Sequence, residues 1–335
     1  MPSARIAGPD SSSWIDDEPG PGRSPIESHM STPGTNLNAP RLSVVQLVPA
    51  LESGGAERST LEIGRALVAA GHESIVVSAG GRLVERLVAE GSRHIEMSIG
   101  RKSLKTLALV PRLRAVIDET GANIVHARSR LPAWLGWRAL NGLNGPRPRF
   151  VTTVHGLNTP GWYSGIMTRG ERVICVSNLV RDHVVRHYRS VNPSKLILIP
   201  RGVDAEEFPF GYQPEDEWRR RFLAEFPMLD GAPLLTLPAR GTRLKGHAFA
   251  LELIADLKAR GVDARLLLLG VREAGREDYL AELEAMASAL GIAERVAMTA
   301  ARADVREIMA ISTLVLQLST QPESFGRTVI EALSL

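Results

Sequence analysis

The 335-residue sequence contains one cysteine, few aromatic residues and no long hydrophobic run. The single Cys175 excludes a disulfide framework and is typical of a reducing compartment. It lies in the apolar segment 172–176, which predicts a buried strand and an unreactive thiol. No apolar run approaches the roughly 18 residues that a membrane-spanning helix needs. With 44% hydrophobic and 23% charged residues, the composition predicts a globular protein, long enough for two domains.

Several functional motifs are also absent. The sequence has no Asp-x-Asp motif and no His/Cys cluster with metal-ligand spacing, so no metal site is predicted. It has neither the G-x-G-x-x-G motif of dinucleotide-binding folds nor the G-K-[ST] ending of a P-loop. No recognition motif accompanies the basic residues, which argues against a nucleic acid as partner.

Positive charge is concentrated in one part of the chain, although the net charge is only +3. Residues 82–149 contain thirteen Lys and Arg but five Asp and Glu, an excess of eight. Five of these cations occur in a segment predicted to be helical: Arg101, Lys102, Lys105, Arg112 and Arg114. They form either an ordinary solvated helix face or a surface that contacts anionic lipid head groups.

The pattern of hydrophobic residues predicts the domain organisation. Residues 1–40 are rich in Pro, Ser and Gly, which predicts a disordered extension, and they lack the apolar centre of a signal peptide. Residues 41–204 alternate short apolar runs with helical patterns, which predicts a parallel, doubly wound α/β domain. Its strands are predicted over 42–48, 74–78, 94–99, 124–127, 150–154, 173–176 and 196–199.

A second α/β domain is predicted over 233–335. Residues 205–232 contain several Pro and Gly and are predicted to be a linker with a short helix over 217–226. The second domain has predicted strands over 234–237, 265–269, 296–299 and 314–318. Its helices are predicted over 248–259, 278–290 and 305–311 and from residue 326.

Two glutamates near the end of the sequence, Glu323 and Glu331, are separated by seven residues. Ser324, Phe325 and Gly326 follow the first, and an apolar helical pattern surrounds the second. A turn at a helix start presents backbone N–H groups that bind phosphate, and a carboxylate two helical turns later can accept from a ribose diol. A glycosidase pair is disfavoured because one carboxylate lies in a turn and the other within a helix.

Three further segments are predicted to follow strands, at the sheet edge where open α/β sheets bind ligands. Arg240 and Lys245 follow the first strand of the second domain, and two cations suit a diphosphate. His155 follows a strand of the first domain, and Gly54 and Gly55 lie between its first strand and first helix. Taken alone, these segments also fit a basic surface loop, a structural histidine and a tight turn.

Together, these motifs resemble those of glycosyltransferase family 4, whose members have the GT-B fold of two Rossmann-like domains facing a crevice. The resemblance covers residues 42–335 in the family's order. The sequence of segment 237–246 is most similar to that of bacterial members that build surface polysaccharide. The matching segments are 53–57, 154–156, 176–178, 199–204, Arg240 with 245–246, and 323–331.

The resemblance implies a role for each donor-side residue. Arg240 and Lys245 bind the donor diphosphate, helped by the backbone of the turn 324–326. Gly54 and Gly55 let the first domain approach the donor phosphates. Family members generally need no metal, because Arg and Lys neutralise the leaving diphosphate, so no cofactor is expected beside the UDP- or GDP-linked donor.

The resemblance also implies the chemistry and its setting. Glu331 holds the nucleotide ribose, Glu323 contacts the transferred sugar and His155 lies beside the reacting sugar. Transfer proceeds with retention of configuration to a polysaccharide or lipid-linked acceptor, as in lipopolysaccharide synthesis. We expect such an enzyme in the cytoplasm or peripherally at the inner face of the cytoplasmic membrane. The aromatic residues 134, 137, 162 and 163 are either acceptor contacts or ordinary packing.

Two alternatives and one expectation about length accompany this interpretation. The chain could be a non-catalytic remnant or binding protein with the same fold, or another enzyme on this architecture, such as a nucleotide-sugar epimerase or a phosphorylase. No lysine in the second domain has a convincing context for the pyridoxal phosphate of a phosphorylase. Family members continue past the counterpart of Glu331, so we expect this chain to be C-terminally truncated and its second domain incomplete.

Overall fold

The computed structural model describes residues 40–335, apart from Ser53, Asn144 and the side chain of Leu104. The extension predicted over 1–40 therefore lies outside the described residues, except for Pro40, and so does Ser53 of the first glycine-rich turn. Residues Arg41–Leu335 form one compact unit. Within this unit the chain forms two parallel sheets.

The first sheet has seven parallel strands in the order β3-β2-β1-β4-β5-β6-β7. The strands are β1 (Ser43–Leu47), β2 (Glu73–Ser78), β3 (Arg93–Glu96), β4 (Ile124–Ala127), β5 (Arg149–Val154), β6 (Arg172–Cys175) and β7 (Leu196–Leu198). The strand order reverses between β1 and β4, which pair in parallel. The carboxyl ends of these two strands form a switch point, where open α/β sheets bind ligands.

Seven helices accompany this sheet. They are α1 (Gly55–Ala69), α2 (Val84–Ala89), α3 (Leu104–Leu107), α4 (Val110–Glu119), α5 (Arg130–Leu140), α6 (Trp162–Gly165) and α7 (Asn178–His187). Helix α7 begins where Ser177 Oγ accepts a hydrogen bond from the N–H of Val180, which satisfies one of the free donors of the first turn. The sheet and these helices enclose the first hydrophobic core.

The second sheet has the four strands that were predicted, and they run parallel in the order β10-β9-β8-β11. They are β8 (Leu234–Pro238), β9 (Arg265–Arg272), β10 (Val296–Ala300) and β11 (Leu314–Val315). Helix α8 (Asp216–Glu225) precedes the sheet, and α9 (His247–Ala259), α10 (Glu277–Ala289), α11 (Val305–Ile311) and α12 (Arg327–Ser334) follow its strands. The order reverses between β8 and β11, so this sheet has a switch point of its own.

Both faces of the second sheet are covered at strand β9, as expected for parallel strands. Leu266 and Leu268 of β9 pack into one core, whereas Leu267 and Leu269 pack into another on the opposite face.

In the first domain, Cys175 is completely buried, and burial raises the pKa of its thiol to about 11. The prediction of an inert thiol is therefore consistent with its environment.

The helix predicted around the basic residues and the strand predicted over 314–318 differ from the structure. The single helix expected around the basic residues 101–114 is instead α3 followed by α4. Pro111 lies in the first turn of α4, where its missing N–H costs no helical hydrogen bond. The strand expected over 314–318 contains only the two residues of β11, although the N–H of Leu316 still donates to Thr236 at 2.8 Å.

The basic segment contains an exposed surface. Arg101, Lys102, Lys105 and Arg112 are all exposed, whereas Arg114 is half-buried and donates to the carbonyl of Ala139 at 3.3 Å. In the described part of the chain, no helix combines the length and the hydrophobicity that a bilayer crossing requires.

Candidate active site

The loop after β8 holds the two cations predicted to bind a diphosphate. Arg240 lies two residues beyond the strand and is exposed, and Lys245 is half-buried in a short 3-10 turn. Gly246 ends this turn with a φ of 75°, and a Cβ there would lie 2.0 Å from the carbonyl oxygen of Leu318. Glycine alone satisfies both conditions, so Gly246 fixes how the loop packs beyond β11.

Lys245 is joined to Glu323 at the switch point of the second sheet. Lys245 Nζ and Ser319 Oγ both donate to Glu323 Oε1. The N–H of Thr320 donates to the carbonyl of Leu244 at 2.9 Å and holds the two loops together. Burial by itself would raise the pKa of Glu323, but the hydrogen bonds from Lys245 and Ser319 leave that pKa below its ordinary value. Glu323 is therefore ionised at neutral pH.

The turn 324–326 contacts both domains. Gly326 has a φ of 82°, which lets the chain enter α12 at the next residue. Within the described residues, the N–H groups of Ser324, Phe325 and Gly326 donate to no protein acceptor, so they can bind an anion. The Phe325 side chain packs against the first-domain core, and a Cβ on Gly156 would lie 3.3 Å from Ser324 Oγ.

Glu331 is buried on α12 and paired with two arginines. It is 3% exposed, and its Oε1 lies 3.3 Å from Nε of Arg327 and 3.8 Å from a terminal nitrogen of Arg58. Arg327 also donates to Glu62 of α1 at 2.7 Å. Burial would lower the pKa of Arg327, but its two carboxylate partners raise it overall. This network ties α12 to the first domain.

Sequence analysis predicted no role for Arg58, Glu62 or Arg327. Glu62 and Arg327 are 265 positions apart in the chain, so only the packing of α12 against α1 brings them together. A signal did exist for Arg327, because it lies inside the predicted glutamate motif, four residues before Glu331. Residues at this spacing share one face of a helix, and a cation there can pair with the carboxylate.

Gly54 and Gly55 lie at the beginning of α1, as predicted. The N–H of Gly54 donates to the carboxylate of Glu57 at 2.9 Å, which closes the first turn of the helix. A Cβ on Gly55 would lie 3.7 Å from Cδ of Arg327, so the start of α1 faces the start of α12. The two glycines therefore lie where the domains meet.

A cavity of about 420 Å³, here called the interdomain cleft, lies between these elements. Four predicted site residues line it, namely Gly54 and Gly55 from the first domain and Arg240 and Glu331 from the second. Among the described residues that form its walls, Lys245, Glu323 and His155 are absent. Four predicted residues therefore line the cleft, whereas the Lys245–Glu323 pair and His155 lie outside its walls.

His155 follows β5 and lines a second cavity, of about 230 Å³, within the first domain. Burial, reinforced by Arg128 and Arg201, holds the pKa of His155 well below its ordinary value, so the ring is neutral. Arg201 contacts Nδ1 of His155, and because a guanidinium only donates, Nδ1 is the acceptor and Nε2 carries the proton. Nε2 is enclosed and has no hydrogen-bond partner in the described chain.

Arg128 follows β4 at the switch point of the first sheet and also lines this second cavity. It is only 3% exposed, and burial, followed by the charge of Arg201, lowers its pKa to about 9. Sequence analysis counted Arg128 among the cations of residues 82–149 but predicted no role for it. Hydrophobic patterning could not distinguish this buried arginine from the exposed cations at 101, 102, 105 and 112.

The aromatic residues noted in the sequence form an open cleft on the first domain. Trp134, Trp137 and Trp162 line this cleft, whose volume is about 880 Å³. Trp162 is 75% exposed, and its ring centroid lies 4.9 Å from that of Trp134. The guanidinium of Arg169 lies 4.7 Å from the ring centroid of Trp137. Trp134 and Trp137 also pack against the first-domain core, whereas Trp162 does not, so a binding role for these residues stays a prediction.

Over the ranges that the structure describes, no three His, Cys, Asp or Glu side chains cluster in a way that could hold a metal ion. The cations of the site instead come from Arg240, Lys245 and the arginines around α1.

Two Rossmann-like domains with a cleft between them define the GT-B fold of glycosyltransferases. Residues 53–207 match the family model described as Glycosyltransferase Family 4, and residues 220–335 match that of Glycosyl transferases group 1. The chain belongs to the group 1 glycosyltransferases. The resemblance and the fold class predicted from the sequence are thus confirmed. No curated protein matches the sequence significantly.

Solved structures support this assignment. A glycosyltransferase from Rickettsia africae is 30% identical, with a TM-score of 0.76 over 88% of this chain and 77% of its own. Alr3699/HepE from Anabaena, solved with UDP and glucose, is 20% identical, with a TM-score of 0.73 over 88% and 78% of the two chains. WaaG, a glycosyltransferase involved in lipopolysaccharide biosynthesis, is 15% identical, with a TM-score of 0.64 over 87% and 78%.

Proposed function

We propose that this glycosyltransferase moves a sugar, with retention of configuration, from a UDP- or GDP-linked donor to a glycan or lipid-linked acceptor of surface polysaccharide. The interdomain cleft carries this proposal, because it joins Arg240 and Glu331 of one domain to Gly54 and Gly55 of the other. The binding of UDP by the Anabaena structure supports a nucleotide-sugar donor. The role of WaaG in lipopolysaccharide biosynthesis supports the class of product.

The diphosphate of the donor binds at the carboxyl ends of β8 and β11. Arg240 and Lys245 supply two positive charges, and the free N–H groups of the turn 324–326 add hydrogen bonds at the start of α12. When the anomeric C–O bond breaks, negative charge develops on the diphosphate. Fixed cations and N–H groups stabilise this charge without reorganising, which lowers the barrier.

Glu331 holds the ribose of the nucleotide. Its carboxylate lines the interdomain cleft and is fixed by Arg327 and Arg58. Each carboxylate oxygen has more than one acceptor site, so pairing with arginine leaves capacity for the two hydroxyls of a ribose. The network with Glu62 keeps the carboxylate in one orientation before the nucleotide binds.

Glu323 and His155 act at the sugar end of the site. Glu323 accepts hydrogen bonds from hydroxyl groups of the transferred sugar. Its negative charge also stabilises the positive charge that develops at the anomeric carbon. His155 donates through Nε2–H to the same sugar. Retention requires the acceptor oxygen to bond to the face that the diphosphate leaves. A diphosphate oxygen is then positioned to take the acceptor's proton.

We also propose that the protein works at the inner face of the cytoplasmic membrane, with the exposed Arg101, Lys102, Lys105 and Arg112 against anionic lipid. Sedimentation with phosphatidylglycerol vesicles tests this. Binding should fall sharply between low salt and 0.5 M salt, because surface charges are screened. Neutral phosphatidylcholine vesicles are the control, and equal binding to both lipids would contradict the proposal.

Donor turnover tests the proposed activity. Purified protein is incubated with UDP-glucose or GDP-mannose, and release of the nucleoside diphosphate is measured with and without a glycan acceptor. The anomeric configuration of the product, read by proton NMR, tests retention. Donor binding without release of diphosphate would favour the non-catalytic binding protein, and interconversion of the donor sugar would favour the epimerase.

A further inference from the structure

The second cavity of the site, here called the Arg128 pocket, belongs wholly to the first domain. Its walls come from residues between 48 and 167, including Glu57, Arg128, Arg130 and His155. At about 230 Å³ it is smaller than the roughly 300–1,000 Å³ of a typical small-molecule site. The pocket therefore suits one compact group and not a whole oligosaccharide.

The positive charge of Arg128 is buried without an acidic partner. Its guanidinium donates to the amide oxygen of Gln46 at 3.3 Å, to the carbonyl of Ala56 at 3.5 Å and to the hydroxyl of Ser59. All three acceptors are neutral, and Nε has no partner among the described residues. Buried charges are normally paired, because removing an ion from water is costly. Arg128 therefore lacks the anion that its environment calls for.

The nearby carboxylates do not supply that anion. Glu62 is the acid whose charge acts on Arg128, but its Oε1 already accepts from Arg327. Glu57, in the wall of the pocket, accepts from the N–H of Gly54. Burial first, and then the charge of one neighbouring arginine, lowers the pKa of Arg128 to about 9 and that of Arg201 to about 10.

Other groups around the pocket are also donors. A second arginine, Arg130, also lines the wall. Arg130 lies at the opening, where one of its terminal nitrogens donates to Ser164 Oγ at 3.3 Å. Two guanidinium groups thus border a space whose wall, as far as the structure describes it, contains one carboxylate. Such a set of donors matches the oxygens of a phosphate or a carboxylate.

The pocket is separate from the site of the donor diphosphate. Arg240 and Glu331 line the interdomain cleft, whereas the Arg128 pocket contains no residue of the second domain. Glu57 lines both cavities, so they meet at this side chain. An anion in the Arg128 pocket would therefore belong to the molecule that approaches the donor sugar from the first domain.

We propose that the Arg128 pocket binds the phosphate or carboxylate group of an acidic acceptor. This inference rests on the proposed transferase function and names the class of its second substrate. The rest of the acceptor can extend over the aromatic cleft. Arg130 lies 5.4 Å from the ring centroid of Tyr163, which stands next to the exposed Trp162.

Calorimetric titration of inorganic phosphate into the full chain saturated with UDP tests this proposal, at an ionic strength held constant with chloride. UDP fills the interdomain cleft, so phosphate that still binds occupies another site. Arg128→Met should weaken this binding by roughly 10-fold or more, the usual effect of losing a charge-assisted contact. Arg138→Met, which removes an exposed cation from α5, should leave it unchanged within about twofold, as for a distant screened charge.

Each other outcome has a defined meaning. Phosphate binding that UDP abolishes would assign the anion to the donor diphosphate and overturn the acceptor site. Unchanged binding in Arg128→Met, or no binding to the wild-type chain, would also overturn it. If Arg128→Met fails to fold, Arg130→Met at the opening replaces it, with the same loss expected. UDP affinity, measured separately, distinguishes failure of the donor site from failure of this proposal.

Discussion

Lys245 Nζ donates to the carboxylate of Glu323, across 78 positions of sequence. The contact is possible because β8 and β11 are neighbours, so the loops that follow them lie side by side. It places a cation assigned to the diphosphate beside an anion assigned to the sugar. In the proposed donor site, one ion pair therefore serves both ends of the donor, and the sheet sets the spacing between its two charges.

Replacing the cations of the β8 loop should weaken nucleotide binding. We expect Arg240→Ala and Lys245→Ala each to reduce the affinity for UDP by about 1–3 kcal/mol, the range for charge-assisted hydrogen bonds. Calorimetry with UDP measures this loss. The matched control is Arg243→Ala in the same loop, because Arg243 is exposed and pairs with Glu282 at 2.6 Å. Full UDP affinity in both site variants would remove the diphosphate from this loop.

Much of the fold could be predicted from local patterns. Buried strands such as β1 and β4 are short apolar runs, and the helices between them have one apolar face. The sequence therefore predicted the order of strands and helices along the chain. Gly54, Arg240 and Glu331 were also predictable, because each belongs to a motif that follows a strand or begins a helix.

The remaining part of the site depends on contacts between distant segments. The residues that flank Arg128 and Arg201 in the sequence do not distinguish them from surface arginines. Only the folded chain shows that both are largely buried near His155. The pairing of Arg327 with Glu62 requires the two domains to meet. The spacing of hydrophobic residues does not indicate which distant segments come into contact, so these residues were not predicted.

Glu331 should recognise the ribose hydroxyls. We expect wild-type protein to bind UDP more tightly than 2′,3′-dideoxy-UDP by about 1.5–3 kcal/mol, as for hydrogen bonds to a charged group. Glu331→Gln should lose most of this preference while still binding both ligands. Titration calorimetry measures the affinity of the wild-type protein and of the variant for each of the two nucleotides. An unchanged preference in the variant would place the ribose elsewhere. Circular dichroism controls for folding, because the substitution weakens the pairing with Arg327.

His155 should affect turnover more than nucleotide binding. His155→Ala removes a donor that contacts the sugar during transfer, and an interaction specific to the transition state changes rate and not ground-state affinity. We therefore expect kcat to fall at least about 100-fold, in the usual range for one transition-state donor, with UDP affinity nearly unchanged. Initial rates and UDP calorimetry on the same preparation measure both. Equal losses in the two would identify His155 as a structural residue.

The left-handed glycine of the β8 loop should be irreplaceable. Gly246→Ala would place an alanine at a φ of 75° and its Cβ 2.0 Å from the carbonyl oxygen of Leu318. Gly261 has a similar φ of 78°, but a Cβ there meets no atom within 4 Å. Gly261→Ala should therefore cost only the backbone term of about 1–2 kcal/mol, and Gly246→Ala clearly more. Urea unfolding measures both, and equal costs would show that the loop shifts without penalty.

Acid should destabilise the protein in the pH range of histidine titration. His126 is buried against Thr153, at 2.7 Å, and His155 lies beside Arg201. Burial first, then the charges of Arg128 and Arg201, hold the pKa of both imidazoles well below the ordinary 6.5. Below pH 6.5 the unfolded chain therefore binds protons that the folded chain does not, which favours unfolding.

The free energy of unfolding should accordingly decrease as the pH falls from about 7 to 5. Each histidine contributes a slope of up to about 1.4 kcal/mol per pH unit, until its own folded-state pKa is reached. His94 and His247, whose pKa values burial also lowers, add to the effect in the same direction. Urea unfolding at several pH values measures the slope, and His155→Asn should reduce it by one histidine's share. A stability that stays constant from pH 7 to 5 would mean that the buried imidazoles accept protons as readily as exposed ones.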